Sequence, residues 1–280
     1  MTKLLLVDGS NLLFQMFYGM PSRIIGKDGS AIQGTLGFVG ALLKIIRQVS
    51  PTHVAVLFDG ECESVRKELN KDYKANRPDF SEMPEDEVPF SQLPAIYASL
   101  DYLGIKHTET KVCETDDIIA GYALTYGQDC DAIISSFDSD FFQLITDRVS
   151  VLRYRGDNTV ICDPYYIRNK LGIEPGQYAD HKSLTGDSAD NINGADKVGP
   201  KTATELIREF GTLEGVIENA EIIKKPSVRA SILSSVDRLR LNYRLIKLDG
   251  SAELPFSFDE LEYRYNGLST TQVLRGIALI

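Results

Sequence analysis

Acidic residues recur in this chain in small groups whose spacing suits metal-assisted chemistry. Glu114, Asp116 and Asp117 stand together in Cys113-Glu-Thr-Asp-Asp. Asp138 and Asp140 form a DxD, and Asp187 and Asp190 lie three residues apart, close enough to share one helical turn. Asp8 and Asp59 each close a short apolar run. Every group has an ordinary reading beside the functional one. Thr115 suits a helix cap with Asp116 and Asp117 in the first turn, and a DxD after a strand is often just a solvated loop. Converging together, so many carboxylates would repel one another unless cations neutralised them. Oxygen-only ligands point to Mg²⁺ or Mn²⁺, and His53, His107 and His181 have no metal-ligand spacing and read as core or surface residues. A pair of such ions, about 4 Å apart, would activate a water and stabilise the leaving oxygen of a phosphodiester.

The acids need elements to bring them together. Leu4–Val7, Val54–Phe58, Ala132–Ser135 and Val149–Tyr154 read as strands. They alternate with amphipathic segments such as Thr35–Gln48 and Gln92–Leu103, and Ile118–Tyr126 reads as helical. This order predicts an α/β fold with a mostly parallel central sheet flanked by helices, whose strand ends gather residues distant in sequence. The stretch Asp72–Pro89 has Pro78, Pro84 and Pro89, the acids Asp79, Glu82, Glu85, Asp86 and Glu87, and little apolar periodicity, as in an exposed mobile loop or arch. Beyond about Pro164 the pattern turns helical, with turns at Gly172–Gly176, Gly186–Pro200 and Gly211–Thr212.

The 280 residues suffice for a full core without staples and are read as carrying no second polymerising or regulatory region. Cys62, Cys113, Cys130 and Cys162 lack any CxxC spacing and read as reduced thiols. The opening apolar run is too short for a signal peptide and no stretch approaches a membrane span, so a soluble, cytoplasmic protein is expected. A net charge of −10 argues against nucleic acid at first sight. Its distribution answers this, because many acids are the candidate ligands. Arg66, Lys67, Lys71, Lys74 and Arg77 crowd one segment, and Lys224, Lys225, Arg229, Arg238, Arg240, Arg244 and Lys247 another.

A helix across Arg66–Arg77 would set Tyr73, Lys74 and Arg77 on one side; taken alone, the segment reads first as a plain solvated basic helix. Asn193-Gly194-Ala-Asp-Lys197-Val-Gly199-Pro-Lys201-Thr202 precedes the amphipathic run Ala203–Phe210. Glycines before a helix admit phosphates to backbone N–H groups, though an ordinary helix-connecting turn fits as well.

At these residues the chain closely resembles the flap endonuclease or 5′ nuclease family, which includes the nuclease domain of bacterial DNA polymerase I and the phage 5′ exonucleases. The resemblance runs from Leu4 to about Leu248 through Leu-Val-Asp8-Gly-Ser-Asn, Leu-Phe-Asp59-Gly, Tyr73-Lys74-Ala-Asn-Arg77, Glu114-Thr-Asp116-Asp117, Asp138-Ser-Asp140 and Leu184-Thr-Gly-Asp187-Ser-Ala-Asp190-Asn. It implies a PIN-like 5′ nuclease core with a helical arch and a helix–hairpin–helix subdomain, and two-metal 5′-3′ exonuclease and flap endonuclease activity leaving a 5′-phosphate and a 3′-hydroxyl. By resemblance, Asp8, Asp59, Glu114 and Asp116 surround one Mg²⁺ and Asp138, Asp140, Asp187 and Asp190 the other, with Asp117 nearby and Mn²⁺ able to substitute. Lys74 and Arg77 match arch cations over the scissile phosphate, with Asp116 and Asp140 among the catalytic carboxylates. Arg66, Tyr73 and Lys182 join the DNA contacts, Tyr73 by stacking on an unpaired base. Gly194, Lys197, Gly199, Lys201 and Thr202 would hold duplex backbone, with potassium at the turn.

The expected division is a nuclease core over 1–180 with the arch at about 66–90, a helix–hairpin–helix subdomain over 181–250 and a segment over 251–280 packing back on the core. The implied partner is DNA with 5′ flaps, 5′ overhangs or branched junctions, and the chain is expected to be a monomer. Three positions depart from the family: Gln15 where arginine is frequent, Asn193 for proline and Lys197 for glycine. The alternative is a non-catalytic branched-DNA-binding protein of the same fold, which lost carboxylates would have favoured; none is lost. An aspartyl phosphatase of the haloacid dehalogenase type would place its DxD after the first strand, where this chain has Asp8-Gly-Ser.

Overall fold

The apolar run at the start of the chain becomes the middle of a sheet in the computed structural model, which describes residues 2–20, 22–27, 29–60, 65–78, 80, 83–84, 87–111 and 113–280. Cys62, Asp79, Glu82, Glu85 and Asp86 lie outside the described residues. The first half runs β1 (Lys3–Asp8), α1 (Gly9–Gly19), α2 (Gln33–Val49), β2 (His53–Asp59), α3 (Val65–Leu69), α4 (Leu93–Leu103), β3 (Lys106–Thr110), α5 (Thr115–Tyr126), β4 (Asp131–Ser135), β5 (Val149–Arg153) and β6 (Val160–Cys162). The six strands lie in the order β3-β2-β1-β4-β5-β6, all parallel to their neighbours except β6, which runs antiparallel to β5. The order reverses at β1, whose Leu5 faces Val54 of β2 on one side and Ile133 of β4 on the other. A crevice therefore opens beyond the carboxyl ends of β1 and β4, and it is there that Asp8 and Asp138 emerge.

Helices cover both faces of the sheet, so β1 reads as an unbroken apolar run rather than an alternation. Leu4 and Leu6 pack with Ile119 and Tyr122 of α5, while Leu5 and Val7 pack with Leu13, Phe38, Leu42 and Ile96 from α1, α2 and α4. Full burial of each such side chain stabilises by roughly 1.5–3 kcal/mol. The runs expected as strands fall in β1, β2, β4 and β5. The polar sequence Lys-His-Thr-Glu-Thr gave no sign of β3, because an edge strand needs few inward apolar residues.

The second half comprises α6 (Pro164–Leu171), α7 (Tyr178–Thr185), the two-strand hairpin β7 (Gly186–Asp187) and β8 (Ile192–Asn193), α8 (Pro200–Phe210), α9 (Leu213–Glu218), α10 (Pro226–Ser234), α11 (Val236–Ile246) and α12 (Thr270–Gly276). α7 packs chiefly on α8 and α11. Asn242 of α11 donates to the carbonyls of Ser183 and Asn193, tying α7 and the hairpin together. Near the end of the chain Tyr263 N–H bonds Thr52 O at 2.8 Å, and α12 packs against α2 and α4 with Val273 and Leu274 buried. No helix among the described residues is long and apolar enough to cross a membrane.

One expectation is overturned. The helix proposed across Arg66–Arg77 stops at Leu69, and residues 71–76 form successive turns. The Asn70 side chain accepts from Asp72 N–H at 3.0 Å, a local bond that competes with helix continuation, and Lys74 takes a left-handed φ of 56°.

Candidate active site

Asp8 ends β1 and begins α1, where its Oδ1 accepts from Asn11 N–H at 2.9 Å and its Oδ2 from Ser136 Oγ at 2.8 Å. Ser136 directly follows the neighbouring β4 and also accepts from Asp138 N–H, while Asp138 Oδ1 accepts from Asp140 N–H. A short relay thus orients three carboxylates from two adjacent strand ends. Gln143 donates to the carbonyls of Asp140 and Ile246 and accepts from Leu248 N–H, so the Asp140 turn is tied to the end of α11. Sequence reasoning missed Ser136, Asn11 and Gln143; the first two sit where a polar residue after a strand or three beyond an aspartate is a usable signal.

Asp187 and Asp190 are carried by the β7–β8 hairpin. Gly186 has a φ of 80°, and a Cβ there would strike the backbone of Ile192 and Gly194. A Cβ on Gly194 would in turn strike Leu184 O and Gly186 N, so the hairpin closes only with both glycines. Gly194 was expected to admit a phosphate; its missing side chain is used inward instead. Gly199 does face open space and precedes the N-terminus of α8, which has Pro200 in its first turn and no side-chain cap. Lys197 stands exposed with a left-handed φ of 62°, which accounts for a glycine being suited to that place. Lys201 beside it is also exposed, and Thr202 is half-buried.

The carboxylates converge, and their electrostatics record it. Asp140, Asp187 and Asp190 each offer an oxygen within 4.8 Å of the others'. Asp140 Oδ1 is sealed from solvent without a hydrogen-bond partner. Burial, then repulsion from Asp138, pushes the Asp140 carboxyl well up despite Lys182. Asp116 is pushed up by burial, then by Asp138 and Asp8. Burial and then Asp59 raise Asp8 to about 7. Asp138 thus presses on both groups, Asp8 and Asp116 on one side and Asp140 on the other. A buried, unpartnered oxygen among carboxylates held above their ordinary range fits a divalent cation, whose charge would reverse those shifts.

The same shifts predict a pH dependence. In the metal-free protein these carboxyls have folded pKa values above their unfolded ones, so the folded state holds more protons between the two. Their contribution to stability is complete below about pH 4 and is lost as pH rises through the raised values, about 7 for Asp8. Thermal unfolding in EDTA should therefore show Tm falling from weakly acid to weakly alkaline pH, with Mg²⁺ opposing the fall; a Tm that climbs across this range would contradict it.

Cations close the other side. Lys74 Nζ lies 3.0 Å from Glu114 Oε2, Arg77 Nη2 3.3 Å from Asp190 Oδ1, and Lys182 Nζ 2.8 Å from Asp187 Oδ2. The segment bearing Lys74 and Arg77 is laced to the hairpin: Lys74 N–H bonds Asp190 O, Asn76 Nδ2 bonds Ser188 O, and Asn191 Nδ2 bonds Asp72 O.

Three expected roles are corrected. Both oxygens of Asp117 are taken by Arg66, Nη1 and Nη2 each at 2.7 Å, with Asp249 N–H as a further donor, so Asp117 leaves the ligand pool. Arg66 is itself buried and also donates to Glu114 and to the carbonyls of Leu245 and Lys247, which removes it from the DNA contacts. Tyr73 is buried among Ala179, Ile192, Leu245 and Ile246, with its hydroxyl donating to Glu114, so its ring is not presented for stacking. The histidines are packed side chains: His53 stacks on Phe258, His107 on Tyr97, and the buried His181 contacts Pro200 O and Thr204 Oγ1.

Residues 3–172 match the 5′-3′ exonuclease N-terminal resolvase-like domain, and residues 173–267 the 5′-3′ exonuclease C-terminal SAM fold. The chain is 36% identical over 267 residues to DNA polymerase I of Rhizobium leguminosarum and 34% identical over 258 residues to the thermostable DNA polymerase I of Thermus aquaticus. Each match takes in 92% of this chain but only 26% and 29% of those proteins. The fold is similar to that of the bacteriophage T5 flap endonuclease, solved with DNA and metal ions, with a TM-score of 0.72 at 23% identity over 87% of this chain and 88% of that one. The catalytic core of Rad2, solved with a DNA substrate, gives a TM-score of 0.59 at 18% identity over 99% of this chain and 93% of that one.

Proposed function

The chain belongs to the 5′-3′ exonuclease family, and from that premise we propose that it is a Mg²⁺-dependent nuclease hydrolysing phosphodiesters of DNA with 5′ flaps, overhangs or branched junctions. The observation that carries this reading is the meeting of Asp140, Asp187 and Asp190, each with an oxygen within 4.8 Å of the others', while Asp140 also has a buried, partnerless Oδ1. These three, with Asp138, would hold one ion, and Asp8, Asp59, Asp116 and Glu114 are the pool for a second. When bound, the ions supply an activated water and neutralise charge on the phosphoryl oxygens.

The chain's own groups do the rest. Ser136 and Asn11 hold Asp8 in one orientation, and the Asp138–Asp140 bond fixes the turn below it. Lys74 and Arg77 face the carboxylates from the opposite wall, where a phosphate drawn into the cleft would exchange their present acid partners for its own oxygens. A cation already fixed where charge develops stabilises it without reorganisation at the moment of reaction. Lys182 stays with Asp187, and the open start of α8 with Lys197 and Lys201 is suited to duplex backbone.

The test is a labelled duplex carrying a single-stranded 5′ flap, incubated in Mg²⁺ or Ca²⁺, with products sized. Cleavage near the junction in Mg²⁺ alone is expected; binding without product in Mg²⁺ or Mn²⁺ would sink the nuclease reading in favour of a non-catalytic DNA-binding protein. Lys74→Ala should lose about 100-fold in single-turnover rate while still binding in Ca²⁺, and an unchanged rate would remove Lys74 from the site.

A further inference from the structure

Arg155 is a cation placed close to the carboxylate cleft. It follows β5 in a turn where its N–H is held by Thr159 Oγ1 at 3.1 Å, and its side chain is exposed. Among the described residues it has no ion-pair partner. Its guanidinium lies 5.0 Å from the centroid of the Phe137 ring. Phe137 immediately precedes Asp138 and is fixed through both of its main-chain polar groups. Its N–H bonds Asn11 Oδ1 at 3.0 Å, and its carbonyl accepts from Arg153 Nη2 at 2.9 Å. From the other side Gln15 of α1 donates to Tyr154 O at 2.7 Å, pinning the residue before Arg155 to the helix that Asp8 caps.

Taken together, these contacts put a planar cation on a rigid aromatic shelf at the rim of the cleft. A cation–π contact made by an exposed arginine contributes only about 0.5–1 kcal/mol, too little to explain the arrangement as a stability device. The side chain is exposed and, among the described residues, makes no hydrogen bond through its guanidinium, so its N–H groups are available to take a phosphate through two parallel hydrogen bonds. Arg155 also stands apart from Lys74, Arg77 and Lys182, each of which is already paired with a site acid.

We propose that Arg155, stacked on Phe137, is a phosphate-binding residue for the nucleic-acid strand that enters the cleft, taking one backbone phosphate beside the one at the carboxylates. The nature of the ligand rests on the nuclease reading; the geometry of the cation does not.

The experiment is equilibrium binding of a 5′-flap oligonucleotide in Ca²⁺ across a salt series, for the unaltered protein, Arg155→Lys, Arg155→Gln and Arg155→Glu. Because Arg155 is exposed, all should fold. Arg155→Gln should weaken binding several-fold at low salt and lower the slope of log K against log salt by about 0.9 if the phosphate belongs to duplex, or about 0.7 if to single strand. Arg155→Glu should weaken binding further, and Arg155→Lys should keep the slope while losing part of the affinity. An unchanged slope in Arg155→Gln, with or without a change in affinity, would overturn the proposal. If the unaltered protein fails to cut in Mg²⁺ while the slope still drops, the nuclease reading falls and the phosphate contact stands. If it cuts and the slope does not move, the nuclease reading stands and the phosphate contact falls.

Discussion

Asp140→Asn should abolish turnover and at the same time make the metal-free protein more stable. Asp140 Oδ1 is buried without a partner, and its carboxyl is pushed up by burial and then by Asp138, with Asp187 and Asp190 adding to the repulsion. Removing the charge relieves a desolvation cost and several like-charge contacts, whereas a neutral amide costs far less to bury. It also removes a ligand from the group that brings Asp140, Asp187 and Asp190 together. We expect single-turnover cleavage to fall at least about 1000-fold, equivalent to about 4 kcal/mol of barrier. In EDTA the variant's Tm should exceed that of the unaltered protein by a few degrees. The sign of the pH effect follows from the raised pKa: the advantage is small near pH 4, where the folded protein holds this carboxyl protonated and uncharged, and grows as pH rises. Added Mg²⁺ should raise Tm less in the variant. Equal Tm values in EDTA at weakly alkaline pH would show that the cluster is not under electrostatic stress.

Arg66→Ala should be among the most destabilising single substitutions. Arg66 and Asp117 have side chains only 9% exposed, joined by two 2.7 Å hydrogen bonds, so solvent has little access to replace either partner. Leaving Asp117 buried without its cation costs about 3–5 kcal/mol, which at about 2–4 °C per kcal/mol lowers Tm by roughly 10 °C. The double variant Arg66→Met, Asp117→Leu should recover much of the loss, because the penalty belongs to the orphaned charge. Asp117→Asn separates the structural role from a metal-ligand role. It should lower Tm while leaving Mg²⁺ affinity, read by calorimetry, within about twofold, a change of only about 0.4 kcal/mol. A tenfold loss of affinity with stability unchanged would return Asp117 to the metal site.

The sheet was legible because its central strands are apolar on both faces, and the site was legible because the runs of β1, β2 and β4 are each closed or closely followed by an acid. What could not be read was the direction in which individual acids turn. Asp116 and Asp117 are adjacent in sequence and alike in type, yet one faces Asp8 and Asp138 while the other faces Arg66, a difference set by the helix rotation of about 100° between consecutive residues and by a partner 51 positions earlier. The basic segment misled for a related reason. Spacing of three to four residues suits a helix, but Asn70 and the contacts to the hairpin favour turns, and neither a side-chain-to-backbone bond nor a contact 112 residues away leaves a periodic trace. By spacing alone Tyr73 is a ring free to stack on a base, although it helps fill the small core between that segment and α11.

The lacing of the Lys74 segment to the β7–β8 hairpin governs how this protein tolerates exchange of parts. Lys74 N–H, Asn76 and Asn191 make their bonds to main-chain carbonyls, so the shapes of the two backbones, more than the identities of most side chains, must stay matched. A chimera that imports one segment from a relative would bring a loop cut to a different template, and misfit there would tilt Asp187 and Asp190 away from Asp140. The two stretches are therefore expected to be exchangeable only together, and an insertion in either should be tolerated only where it leaves these three bonds in register.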